Sequence, residues 1–184
     1  QGADHGLWGD TRWRQIAYAN AGFWAGLLHD WQPNYGWQPL AMFFTYGFLH
    51  AGSVHLILNM LTLIGLGRVV AQRAGALRFA LIYGAAMFGG AAGFAALSTV
   101  AQPMVGASGA LFGLAGALSW WEFQDRAAGM SGLRPVAQSI LGLILLNLVM
   151  WWAMDGLLAW QTHLGGFLSG GLAAAIGDRT ARKP

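Results

Sequence analysis

The chain has no cysteine, so neither a disulfide framework nor thiolate chemistry is open to it. Charge is also scarce. Only 9% of residues are Asp, Glu, Lys or Arg, against roughly 25% in a typical soluble domain. A water-soluble surface of the usual kind is thereby excluded. The net charge of +3 gives no reason to expect a nucleic-acid partner. Nothing near Gln1 reads as a signal peptide, since no charged segment precedes an apolar run. Internal repeats and low-complexity tracts are not evident either.

What the chain does hold is apolar. Hydrophobic residues make up 56% of it, with 28 glycines and 10 tryptophans. This is the composition of a protein that crosses a membrane several times. Glycine lets helices approach closely, and tryptophan marks the interfaces.

A span needs about 20 mainly apolar residues. Five stretches qualify: Ser53 to Val70 with Ser53 as N-cap, Leu77 to Ser98, Met104 to Phe123, Pro135 to Met154, and Gln161 to Gly177. Pro135 suits the first turn of its helix. Before Ser53 the pattern changes. Arg12, Arg14, Gln15, Asn20 and His29 are scattered among aromatics, as in a helix lying along the interface. "QPNYGWQP" is a turn-rich break, and "LAMFFTYGFLH" is too short to span. The expectation is an all-α polytopic membrane protein: residues 1–52 interfacial, 53–177 the transmembrane core, 178–184 a cytoplasmic tail.

Basic residues set the orientation. Arg68, Arg73 and Arg78 surround the first loop, Arg126 and Arg134 fall in the third, and Arg179, Arg182 and Lys183 follow the last span. The second and fourth loops have none. The positive-inside rule makes the basic side, with the C-terminus, cytoplasmic. Trp120-Trp121 and Trp151-Trp152 fall near span ends, as aromatic belts do.

Polar residues inside a membrane are costly and point to function. His55 and Asn59 lie four apart on one face of the first span. Ser108 lies about four residues into the third span, and His163 about two into the last. At about 1.5 Å per residue, all sit in the outer third of the bilayer. A serine needs a base to take its proton, and His163 can serve. Ser108 also stands near a helix N-terminus, where unpaired N–H groups favour a developing negative charge. His55 and Asn59 add side-chain donors. No buried acid completes a triad, since Asp155 falls in an outer loop, so a Ser–His dyad is the economical reading.

Each residue alone reads otherwise. Ser108 in "GASG" continues into Gly109, Gly113 and Gly116, a helix-contact face. Asn59 suits an interhelical hydrogen bond. His163 reads as an interfacial histidine, as His5 and His29 do. Thr62, Ser119 and Ser169 suit bonds back to their own helices. The functional case rests on the set.

"HAGSVHLILN", "GASGALFG" and "HLGGFLSGG", in this order, resemble the rhomboid intramembrane serine proteases. The likeness runs from about Leu40 to Gly177, and the combined motifs are far more specific than "GxSG" alone. It implies a rhomboid-like helical bundle in which Ser108 is the nucleophile and His163 the general base. It further implies that His55, Asn59 and the Ser108 amide form the oxyanion site, with His50 organising the region beside the first loop. Gly106 belongs to the nucleophile motif. Gly109 and Gly113, with Gly166 and Gly170, match small faces that bring two helices together. Phe112 takes the place of an aromatic, usually Tyr, that stacks on the histidine. The family core has six spans against five here; by the resemblance the remaining one, the first, is expected before Gln1, where truncation or cleavage would account for its absence. The family's Trp-Arg pair would fall at Ala41-Met42, and Trp13-Arg14 lies in another register. The resemblance implies a serine endopeptidase acting on transmembrane proteins in a lipid bilayer, without metal or nucleotide. Its active site would face the outside of a bacterial inner membrane. Two rivals remain: a catalytically inactive rhomboid-like protein that binds transmembrane clients, and a metal carrier using His50, His55 and His163.

Overall fold

The structure is a computed structural model that describes residues 9, 10 and 12–181. Gln1, His5, Arg182 and Lys183, which entered the readings above, lie outside the described residues. Seven α-helices follow in order among the described residues: α1 (Trp13–Ala21), α2 (Gln38–Thr45), α3 (Ser53–Ala74), α4 (Ala76–Leu97), α5 (Ser108–Ala128), α6 (Arg134–Ala153) and α7 (Trp160–Ala181). The only extended pairing among the described residues is an isolated bridge between Phe23 and Met104. The all-α expectation holds.

The long helices are α3 to α7, one for each stretch read as a span. Three of them, α3, α4 and α6, are long and apolar enough to cross a membrane by length and composition. The others, α5 and α7, are less apolar for a packing reason. Both pack small residues against neighbouring helices; α5 is buried along much of its length, while α7 also keeps Leu164, Leu168, Leu172 and Ile176 exposed on one face.

Glycines set how closely these inner helices approach. A Cβ on Gly166 would overlap the Gly109 carbonyl, and one on Gly170 the Gly113 backbone. One step around α7, a Cβ on Gly165 would overlap the Gly89 carbonyl of α4. Successive residues on a helix point about 100° apart, since there are about 3.6 per turn. So α7 presents one small face to α5 and the next to α4. Ser169, expected to bond back to its own helix, instead stands against Gly89 in the α4–α7 contact. Thr62 does bond back, to the Leu58 carbonyl at 2.8 Å.

Helix ends differ from the reading in places. Gly52 is the N-cap of α3 and Ser53 its first residue. Gly75, at φ 81, reverses the chain between α3 and α4 within one residue, a conformation glycine adopts readily. The third span was expected from Met104, but α5 begins at Ser108. Met104 is instead held by the Phe23 bridge, N–H to carbonyl at 3.0 and 2.9 Å. At the other end α7 runs on past Gly177 to Ala181. There Asp178 accepts from Arg78 at 2.8 Å and from the Trp121 indole at 3.0 Å. Arg73 pairs with Asp125 at 2.8 and 2.9 Å and lies over the Trp121 ring. Trp121 is therefore a buried cross-brace, 3% exposed, rather than a residue of an aromatic belt.

The segment before α3 folds over one end of the bundle. The last carbonyls of α1 lack helical partners. Asn34 and Gln38 donate to Ala19, Tyr35 to Asn20 and Thr45 to Ala21, at 2.6 to 2.9 Å. Phe23, Met42 and Tyr46 then pack with Met87, Ala91 and Phe94 of α4 in one apolar cluster. The Tyr46 hydroxyl donates to the Met87 carbonyl at 2.8 Å.

Gly170→Val is expected to destabilise the fold by about 1–3 kcal/mol, because the added atoms meet backbone that cannot move aside. Gly142→Ala on α6, where a Cβ meets nothing within 4 Å, is expected not to lower stability. Thermal unfolding in detergent compares the two.

Candidate active site

Ser108 is the first residue of α5, and the chain reaches it through a tight turn. Gly106 has φ 127, which side-chain-bearing residues rarely adopt. Its N–H donates to the Tyr46 carbonyl at 3.0 Å, and Met104 is fixed by the Phe23 bridge. Anchored twice in five residues, the loop delivers Ser108 to the start of the helix. The first amides of a helix have no intrahelical acceptor, so the Ser108 end carries unpaired donors and partial positive charge.

His163 stands in the first turn of α7 and is 3% exposed. Its Nε2 lies 2.8 Å from Ser108 Oγ. The ring lies flat against Phe112, one turn past Ser108 on α5, with centroids 4.2 Å apart and planes 8° from parallel. On the other edge, Nδ1 lies 2.6 Å from Asn147 Oδ1 on α6. Gly109 keeps the approach open, since a Cβ there would come 2.6 Å from the Thr162 methyl beside His163.

His55 and Asn59 come from the first two turns of α3 and border Gly106. A Cβ on Gly106 would fall 2.9 Å from His55 Nε2 and 3.7 Å from Asn59 Nδ2. Only a glycine leaves room for both groups there. His55 Nδ1 accepts the Ala51 N–H at 3.4 Å, so in the neutral ring Nε2 carries the proton and faces Gly106. Asn59 is buried, and its Nδ2 has no hydrogen-bond partner in the structure. Two side-chain N–H donors therefore stand beside the loop that leads into Ser108.

His50 packs edge-on against His55, ring centroids 5.1 Å apart. Burial, with His55 beside it, pulls His50 below the usual histidine range. Its carbonyl accepts from Arg14 at 3.1 Å and from the Tyr18 hydroxyl at 3.0 Å, and Arg14 also donates to the Ala51 carbonyl at 2.9 Å. Arg14, given no role from the sequence, thus clamps the turn before α3. The histidines of the metal reading divide between two contacts, His50 with His55 and His163 with Ser108. Among the described residues no group of three or more His, Asp or Glu gathers as a metal site. Asp155 is exposed, and His29 is exposed as expected.

Asn147 was missed. It sits in an apolar run and its partner is sixteen residues away on another helix. The available signal was a lone amide in a membrane-crossing stretch, where such groups bond across helices.

A family model described as the rhomboid domain matches residues 36–179. The chain belongs to the rhomboid family. It is an integral membrane protein. "RHOMBOID-like protein 6, mitochondrial" of Arabidopsis thaliana is 34% identical over 154 residues, covering 77% of this chain and 45% of that protein. "Rhomboid protease GluP" of Bacillus subtilis (strain 168) is 36% identical over 127 residues, 69% of this chain and 24% of that protein. "RHOMBOID-like protein 1" of Arabidopsis thaliana is 36% identical over 142 residues, 72% and 33% respectively. This rhomboid chain spans less than half the length of these curated relatives.

Arg14→Ala removes donors to two backbone carbonyls and is expected to cost about 1–3 kcal/mol. Hydrogen exchange should then speed up at the amides of residues 50–56. Unchanged exchange there would mean that the clamp does not hold the turn.

Proposed function

We propose that this chain is an intramembrane serine endopeptidase that cleaves transmembrane proteins near the outer membrane face. The observation that carries this reading is the contact of Ser108 Oγ, at the N-terminus of α5, with Nε2 of the buried His163, 2.8 Å. The family match and the rhomboid protease among the relatives support it.

The chemistry follows from the groups present. Ser108 Oγ attacks the scissile carbonyl carbon while its proton passes to His163 Nε2. The carbonyl oxygen becomes an anion, and the Ser108 N–H, His55 Nε2–H and Asn59 Nδ2–H receive it. An unpaired buried donor such as Asn59 Nδ2 gains most at that moment, because before it the group lacks a partner. His163 then gives its proton to the amine as the C–N bond breaks, leaving an acyl-Ser108. Water attacks the ester, His163 takes the water proton, and the acid product departs as Ser108 regains its hydrogen. No step calls for a metal or nucleotide. Phe112 holds the imidazole plane, and Gly166 and Gly170 set the α5–α7 separation across which the proton moves.

The distribution of basic residues supports a site open to the outside of a bacterial inner membrane, with the C-terminus cytoplasmic. Residues 1–52 then form an interfacial layer beside the site, 53–177 the catalytic core and 178–184 the cytoplasmic end.

Purified Ser108→Ala and His163→Ala proteins should fold and lose activity on a model transmembrane substrate. Removing either member of a nucleophile–base pair is expected to cost roughly 10⁴-fold or more in rate. Wild type should react at Ser108 with a fluorophosphonate probe, and His163→Ala should not. Cleavage retained by Ser108→Ala would sink the mechanism. A folded wild type that neither cleaves nor labels would favour the inactive client-binding protein.

A further inference from the structure

We propose that Asn147 is a positioning residue that holds His163 in its Nδ1–H tautomer, leaving Nε2 free to accept the Ser108 proton. The proposal deepens the protease reading and rests on it.

The amide's orientation is settled by its two contacts. Asn147 Nδ2 lies 3.0 Å from the Leu143 carbonyl. A carbonyl only accepts, so the NH₂ end must face it. Oδ1 therefore faces His163 Nδ1, at 2.6 Å. An amide oxygen has no proton to give, so Nδ1 is the donor. A neutral imidazole carries one N–H, and with that proton on Nδ1 the other nitrogen is bare. That bare nitrogen is the one 2.8 Å from Ser108 Oγ. In the other tautomer two lone pairs would oppose each other across 2.6 Å, and the serine hydroxyl would lose its acceptor.

The placement of Asn147 on α6 agrees. Most of α6 is exposed, and only Val136 is buried. The less exposed positions recur as Val136, Ile140, Leu143, Asn147 and Met150, every three or four residues. Asn147 is thus on the stripe that faces the bundle, with Leu143 one turn before it on the same face. The stripe is otherwise apolar, and its one polar side chain meets the base.

The residue type suits the medium. Serine hydrolases in water commonly use a carboxylate to hold this nitrogen. A buried charge in a membrane site needs compensation that an amide does not. Asn147 supplies the same acceptor without a charge and is itself held by a backbone carbonyl.

The test uses the full chain with wild type and Ser108→Ala run alongside. Asn147→Leu should fold, keep KM and lose about 10²-fold in kcat, the lower range for a mispositioned general base. Asn147→Asp, which retains an acceptor at Nδ1, should recover most of that loss. Nitrogen-15 spectra of histidine-labelled wild type, with the His163 signals assigned from His163→Ala, should show a protonated Nδ1 and a bare Nε2. Wild-type kcat in Asn147→Leu, a loss confined to KM, or a proton on His163 Nε2 would overturn the proposal. If Asn147→Leu fails to fold, the wild-type spectrum decides. If wild-type cleavage is absent or independent of Ser108, the protease reading fails, while the spectrum still tests the tautomer.

Discussion

The close approach of α5 and α7 is the contact on which the rest of this structure depends. In lipid there is little hydrophobic drive to bring two apolar helices together, so packing must come from intimate van der Waals contact. Gly109, Gly113 and Gly116 on one helix, with Gly166 and Gly170 on the other, allow backbone to meet backbone. A single Cβ at these points would have to push the helices apart. The same separation places Ser108 and His163 at hydrogen-bond distance, although they stand 55 positions apart in the sequence. Packing and chemistry are set by one distance.

The two ends of the bundle handle polar groups in opposite ways. At the end far from Ser108, charges are matched: Arg73 with Asp125, Arg78 with Asp178, and the Trp121 indole with Asp178. These contacts join α3, α4, α5 and α7, and beside them the Trp120 indole N–H alone is buried without a partner among the described side chains of this end. At the Ser108 end, Asn59 Nδ2 is buried without a partner and the His55 proton faces the space that Gly106 leaves open. A buried donor without an acceptor raises the free energy of the resting state. Such a group persists where the surrounding packing is strong enough to hold it.

Much of this was legible in the sequence, and the reasons are specific. Span length and apolar composition located α3 to α7, because a membrane enforces both. Helical spacing put His55 and Asn59 on one face. The motif order placed Ser108, His163, Phe112 and the glycines before any geometry was known. The start of α5 was misjudged because Met104 is as apolar as the helix that follows. Its pairing with Phe23, 81 residues away, leaves no local trace. Trp121 looked like a residue of the interface because its partner Asp178 lies two helices further along the chain. Arg14 and Asn147 escaped for the same reason: each acts on a residue that only the folded chain brings near.

The shallow seat of α6 has a further consequence. With Val136 its only buried residue, this helix has lipid along most of its surface. Its seat in the bundle then rests on the one stripe that carries Val136, Ile140, Leu143, Asn147 and Met150. Asn147 rides on that helix and touches His163. On this side a single, thinly packed helix is therefore all that stands between the His163 ring and the surroundings of the bundle.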